Sequence, residues 1–323
     1  MSERWIWDRY WHFDRIASCF DGAGAANYDD NVAAGWRDFF GALPSGARIL
    51  DLCTGNGAAA LIAAEVGRRE AKGFEIVAVD RADIDPPAYV TRHADDLAAI
   101  AFRGGIDVAA LPFPDAGFDA AISQYGIEYS DLDRSLPEAV RVLAPGGRLR
   151  LVVHAADGAV AAGARTVIAE ADLLLDGIGL PDAAARCFTA LWAVEREGAA
   201  ERGPADEAFA AFQDALERTA RHIPGAHDAA MFKNSGAVLL DTFKRRVHFD
   251  LEQLLAKVGE VESEISAHRG RLVALVEAAL DAAQAGALAA RLTAGGATEA
   301  DSFPLHNGDA LIGHVIEARL GRR

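Results

Sequence analysis

The stretch Arg48-Ile-Leu-Asp-Leu-Cys-Thr-Gly-Asn-Gly-Ala-Ala-Ala60 decides the fold. Ile49, Leu50 and Leu52 read as a short buried strand, and Thr54 to Gly57 as a tight turn. Ala58 to Ala64 read as the first turns of a helix, apolar and rich in good helix formers. A strand that breaks into a helix through glycines leaves backbone N–H groups facing one spot. Gly55 and Gly57 lack a Cβ, so a ligand can lie against the main chain there. Asp51, at the strand end, can hold a polar or positively charged part of that ligand. Gly55, Gly57 and Ala60 also satisfy the glycine pattern of dinucleotide binders, and an ordinary glycine turn has the same spelling.

The flanking sequence extends the pattern. Phe74-Glu-Ile-Val-Ala-Val-Asp80 is a second strand ending in an acid, about twenty residues past the glycines, a spacing suited to a carboxylate that binds ribose hydroxyls. A third strand lies within Ile100 to Ile106 and ends at Asp107. Leu111-Pro-Phe-Pro-Asp115-Ala-Gly-Phe-Asp119 is rich in turn residues and feeds a fourth strand, Ala120 to Ser123. Glu138 to Leu143 reads as a helix stopped by Ala144-Pro-Gly-Gly147, and Arg148 to His154 as a fifth strand. Ala297 to Leu305 and Leu311 to Ala318 read as a hairpin joined at His306-Asn-Gly308. Strands alternating with helices predict an α/β, doubly wound, Rossmann-like sheet. Ligands of such sheets bind at the C-terminal strand ends, where Asp51, Asp80, Asp107 and the residues after Ser123 all fall.

Two segments lie outside that pattern. Residues 1–45 carry Trp5, Trp7, Tyr10, Trp11, Phe13, Phe20, Tyr28, Trp36, Phe39 and Phe40. Trp7, Tyr10, Trp11 and Asp14 share helical spacing. The segment reads as an aromatic helical piece docked on the core, or as a lid whose ring faces shield a ligand. Residues 158–295 are Ala-rich and helical in pattern, with breaks near Gly177–Pro181, Gly203-Pro204 and Pro224-Gly225. This large helical insertion reads as a substrate cap or a homodimer face. The expected division is therefore 1–45, then 46–157 with 296–323 as the ligand-binding domain, and 158–295.

Composition narrows the classes. Of 323 residues, 51% are hydrophobic and 25% charged, as in globular proteins, and 32 basic against 48 acidic residues leave a net charge of −16. That field repels phosphate backbones and anionic lipid, which argues against nucleic acid and membrane partners. Three dispersed cysteines, Cys19, Cys53 and Cys187, form no disulfide framework and no Cys-x-x-Cys metal pair. With charges spread through residues 1–15 and no membrane-length apolar run, a cytoplasmic location is expected, and no metal.

Together these motifs resemble the class I S-adenosylmethionine-dependent methyltransferases. Asp51-Leu-Cys-Thr-Gly-Asn-Gly57 is similar to the family's first motif, with Cys53 where the fuller form often has another glycine. Asp80 matches the acid that binds the ribose hydroxyls. Asp107, with Leu111–Asp115 and Phe118-Asp119, is similar to the motif in which an acid reaches the adenine amino group. Leu143-Ala-Pro-Gly-Gly147 resembles the approach to the fifth strand, and the closing hairpin the sixth and seventh strands, the seventh antiparallel. The resemblance covers residues 46–156 and 297–320 and leaves the insertion unread.

It implies S-adenosyl-L-methionine as cofactor, held by Asp51, Cys53, Thr54, Gly55, Asn56, Gly57, Asp80, Arg81, Ile106, Asp107, Val108, Ser123 and Gln124. It implies methyl transfer to a small or medium-sized molecule or a peptide. Acceptor-side candidates follow the fourth and fifth strands. Tyr125 and Glu128 read as facing the methyl, lining the pocket or serving structure alone. His154 reads as a base or as a hydrogen-bonded strand-end histidine. The Asn/Asp-Pro-Pro-Tyr/Phe signature of many amine methylators is absent. The competing readings are a non-catalytic adenosyl-ligand-binding or assembly module and a nicotinamide-dependent oxidoreductase.

Overall fold

The computed structural model describes residues 7–8, 10–17, 27–28 and 30–322; Trp5, Cys19 and Phe20 lie outside them. The chain divides into two compact units. Unit 1 comprises Met1–Ala162 and Ala274–Arg323, and unit 2 comprises Gly163–Val273.

Unit 1 is built on one seven-stranded sheet. Its strands are β1 (Arg48–Leu52), β2 (Glu75–Val79), β3 (Ile100–Arg103), β4 (Phe118–Gln124), β5 (Leu143–His154), β6 (Ala297–Asn307) and β7 (Ala310–Leu320). Their order is β3-β2-β1-β4-β5-β7-β6. The first five are mutually parallel, and β7 runs antiparallel to both β5 and β6. This is the expected Rossmann-like α/β sheet with its antiparallel terminal strand. β1 is buried from Ile49 to Leu52, as a central parallel strand covered on both faces must be. The chain order reverses beside it, because β2 and β4 flank β1. That switch point opens a crevice at the carboxyl ends of β1 and β4.

Helices cover both faces. On one side lie α1 (Asp30–Gly41) and α2 (Ala58–Arg69). In α1, Val32, Ala33, Trp36, Phe39 and Phe40 recur at helical spacing and are buried. Each large side chain so buried stabilises the fold by about 1.5–3 kcal/mol before entropy is counted. The other face is covered by α3 (Leu132–Arg141) and by the helix Ala282–Ala294, whose Ala285, Leu288, Ala289 and Leu292 join the core of Leu50, Leu52 and Leu151.

The third strand ends at Arg103 rather than at Asp107, and two elements start five or more residues earlier than the sequence reading has them. The helix expected over Glu138–Leu143 starts at Leu132, six residues earlier, with Asp131 capping it through the Asp133 N–H, and it tolerates Pro137. The fifth strand starts at Leu143 rather than Arg148. Leu143 pairs with Phe118 and Arg148 with Ala120, so Ala144-Pro-Gly-Gly147 forms a bulge inside the strand. Proline is tolerated at such a bulge because the ladder is already broken there.

Unit 2 is helical. Its core gathers Leu174, Leu180, Phe188, Phe212, Phe232, Leu239, Leu254 and Val258. The rings of Phe188, Phe209 and Phe212 surround Phe243. Within Leu251–Ala278, Leu254 and Val258 are buried as the helical periodicity requires, while Leu255 faces outward.

Candidate functional site

The organising turn sits where β1 ends. Gly55 and Gly57 take positive φ of 54° and 86°, and Cys53 takes 57°. Such values suit glycine, and at Cys53 they mark strain held by its surroundings. The Asp80 carboxylate fixes the turn from the neighbouring strand. Its Oδ2 accepts the Gly55 N–H and its Oδ1 the Ala82 N–H, both at 2.8 Å. Thr54 Oγ1 donates to Asp51 Oδ2 at 2.6 Å.

The acids expected at the strand ends do converge. The charges of Asp80, Glu128, Asp51 and Asp107 all act on Cys53. Cys53 keeps part of its surface exposed, but its thiol is enclosed. Burial, with those four acids, pushes it well above the usual thiol range. Burial raises Asp51 to about 7, helped by the Asp80 charge and opposed by the Thr54 hydroxyl and the Ala60 N–H. Asp80 is also raised by burial, against the N–H groups of Ala82, Gly55 and Arg81. Asp107 is exposed and accepts the Ala109 N–H at 2.9 Å. Val108 is buried and Ile106 half-buried, while the Arg81 side chain is exposed.

A small cavity of about 20 Å³ lies on this rim, lined by Trp11, Ile16, Tyr28, Asp51, Cys53, Thr54, Ala58, Ala59, Gln124 and Tyr125. Ser123 is buried beside it, but its hydroxyl is already used: it donates to Leu52 O at 2.9 Å and accepts the Ile127 N–H at 3.1 Å. Gln124 Oε1 accepts the Trp36 indole N–H at 2.6 Å.

Aromatic rings pack against the faces of Gly55 and Gly57. A Cβ at Gly55 would overlap the Trp11 indole, and one at Gly57 would meet the Phe102 ring at 2.8 Å. Asn56 explains how Trp11 is held. Its buried Nδ2 donates to Trp11 O at 3.0 Å and to Arg15 O at 2.8 Å. Asp8 Oδ1 accepts the Asp83 N–H, Asp14 accepts both the N–H and hydroxyl of Thr91, and His12 stacks on Tyr89. Asp8 and residues 10–15 are thus strapped across the ends of β1 and β2. Nothing in the spelling of Asn56 marked it as the clasp of that strap.

The acceptor-side candidates meet in one cluster. His154 Nδ1 lies 2.8 Å from Glu128 Oε1, which also accepts the His154 backbone N–H at 3.0 Å. Both side chains are wholly buried. The Tyr125 ring stacks on His154 with centroids 4.2 Å apart and is the member of the three that lines the cavity. Its φ of 53° is strained for a tyrosine. Glu128 Oε2 has no hydrogen-bond partner among the described residues. Away from this rim, Glu65, His93 and Asp96 bring potential metal-ligating atoms together, but Arg68 grips Asp96 through both oxygens.

Sheet order, glycine turn and strand-end acids define the class I methyltransferase fold. Residues 49–147 match the family model described as a methyltransferase domain. This part of the chain is similar to methyltransferase domains. The chain is 41% identical over 104 residues to the demethylmenaquinone methyltransferase of Thermus thermophilus, covering 32% of this chain and 44% of that relative. It is 33% identical over 156 residues to the 2-phytyl-1,4-naphtoquinone methyltransferase of Synechococcus elongatus, covering 43% and 60%. The chain thus spans about half the length of these curated relatives. Among solved structures, the [4+2]-cyclase SpnF aligns over 99% of this chain and 94% of that chain, at TM-score 0.41 and 16% identity.

Proposed function

We propose that the protein transfers the sulfonium methyl of S-adenosylmethionine to a small-molecule acceptor with a planar, ring-type nucleophile. The observation that carries this reading is the pair of strand-end acids at the glycine turn, Asp80 holding the Gly55 N–H and Asp51 holding the Thr54 hydroxyl. The residues fit the cofactor. Asp80 accepts the Gly55 and Ala82 N–H groups, one on each oxygen, and its remaining acceptor capacity suits the ribose hydroxyls. Asp107, with Ile106, Val108 and the Arg81 backbone, suits the adenosine edge. Asp51, with Cys53, Thr54, Asn56 and Gly57 shaping the turn and Ser123 and Gln124 opposite, suits the cationic amino-acid end.

When bound, the cofactor supplies an electrophilic methyl on sulfur. The chain's own task is orientation and exclusion of water. Trp11 and the strap of residues 10–15 cover the turn. Tyr125 faces the cavity, and the Glu128–His154 pair fixes its ring from behind. A bound cofactor would supply its methyl to the acceptor, whose proton would pass to solvent, while Asp51, Asp80 and Asp107 would hold the cofactor in place. A ring-type acceptor is favoured by the aromatic walls Trp11, Tyr28 and Tyr125 and by the ring substrates named for the curated relatives.

The test pairs binding with product. The purified protein should bind S-adenosylmethionine by calorimetry and yield a product 14 Da heavier from a reduced naphthoquinone probe or from a small-molecule extract. Binding of NAD without S-adenosylmethionine would overturn the reading in favour of an oxidoreductase.

A further inference from the structure

Three side chains beside the strap's anchor converge without bonding one another. Helix α2 presents Glu65 and Arg68 one turn apart, and the segment 86–97 brings His93 and Asp96 against them. One Glu65 carboxylate oxygen, one His93 ring nitrogen and one Asp96 carboxylate oxygen all lie within 4.8 Å of one another. His93 Nδ1 stands 3.7 Å from Glu65 Oε1, too far for a hydrogen bond. Among the described residues neither of these two side chains makes a hydrogen bond elsewhere. His93 is held at a φ of 59° as the N-cap of the short helix Ala94–Leu97, yet its ring caps no N–H there. Asp96 is buried beneath it.

The donor set selects what fits between them. One imidazole nitrogen and two carboxylate oxygens suit zinc and similar first-row divalent ions, with water completing the shell. Magnesium and calcium take oxygen ligands and have no use for the imidazole. Arg68 grips Asp96 through both oxygens, but each oxygen keeps a further lone pair. The grip orients the carboxylate, as the outer partners of metal-bound carboxylates do. We propose that Glu65, His93 and Asp96 form a site for a zinc-like divalent ion that staples the segment 86–97 to α2. That segment is the ledge on which the strap rests. Tyr89 stacks on His12, and Thr91 donates both its N–H and its hydroxyl to Asp14. The ion therefore stiffens the ledge from the side opposite to the strap's own bonds.

Calorimetry of the whole chain tests this, with zinc chloride as the probe and magnesium chloride as its contrast. The unaltered protein should bind zinc saturably at micromolar concentration and take up no magnesium in the same range. His93→Ala should weaken zinc at least about tenfold, and Glu65→Gln about three- to tenfold, in proteins whose unfolding midpoints match the unaltered chain. His248→Ala removes an exposed histidine of unit 2 and should leave zinc binding within about twofold. Hydrogen exchange gives a second readout. Zinc should slow amide exchange in residues 86–97 at least about threefold, and His93→Ala should abolish that protection. Absence of zinc binding, equal losses in His93→Ala and His248→Ala, magnesium binding as tight as zinc, or unchanged exchange in residues 86–97 would each overturn the inference. None of these outcomes bears on methyl transfer, because the test contains no cofactor.

Discussion

The two units treat polar groups in opposite ways. In unit 1, Arg15 Nε, Asn56 Oδ1, Gln124 Nε2, Glu128 Oε2, Arg150 Nε and His314 Nε2 are buried without hydrogen-bond partners; in unit 2, among the described residues, Arg246 Nε alone is. Unit 2 instead closes its polar groups on one another. His268 bonds Asp228, and that contact holds the Asp228 carboxyl below its ordinary range. Glu170 accepts the backbone N–H groups of His227 and Asp228, and Arg269 pairs with Asp172. Unit 1 also carries the strained Cys53 and Tyr125 and the raised Asp51 and Asp80. Strain, desolvated acids and unpaired atoms mark a site built for a ligand, whereas satisfied networks mark a site built for stability.

Substitutions can break that contrast. The largest effect is expected in the core of unit 2. Phe212→Ala should remove about 3–5 kcal/mol of stability, read as a shifted chemical-unfolding midpoint, and leave cofactor affinity within about twofold. A matching loss of affinity would show that the site is not confined to unit 1. Next comes Asp80→Ala, expected to weaken S-adenosylmethionine by about 1–3 kcal/mol, since both the turn and the ribose lose their acceptor. Unchanged affinity in folded protein would remove the ribose assignment.

Asn56→Ala should release the strap and speed cofactor dissociation about 5- to 30-fold, from the loss of about 1–2 kcal/mol of hydrogen bonding. Stopped-flow fluorescence of the nearby tryptophans would measure it, and an unaltered dissociation rate would reduce residues 10–15 to packing.

A further test is a pH dependence. Burial raises Asp51 from 3.8 to about 7, so ionising it is harder in the fold than in the unfolded chain. Its contribution to stability is complete below about 3.8 and is lost as pH rises through about 7. A cationic ligand needs the ionised form, so its affinity should rise between pH 5 and 7 by up to about tenfold per unit, with proton release. Asp51→Asn should flatten that slope, and a slope that survives the substitution must come from another group.

The fold was legible because its signals are local. Asp51–Gly57 spells strand, turn and helix within a few residues, Asp80 stands at a strand end, and His306-Asn-Gly308 marks the hairpin. Misread boundaries came from treating breakers as stops. Pro137 sits inside a helix and Pro145 inside a bulged strand, because tertiary pairing overrides local preference. The site was half legible. Its acids and its cluster of Tyr125, Glu128 and His154 could be placed at strand ends. The grip of Asn56 on residues 11–15 and the aim of Trp36 on Gln124 join positions 41 to 88 residues apart, and no spacing rule encodes them. The burial of Glu128 and His154 behind Tyr125 was equally invisible, since strand-end position does not say which ring lies in front.

A crystal structure with S-adenosylhomocysteine tests the central claim most directly. The account predicts adenosine spanning Asp80 and Asp107, the sulfur near Tyr125, and the amino-acid end between Asp51 and Gln124. A bound molecule that touches none of Asp51, Asp80 and Asp107 would contradict it.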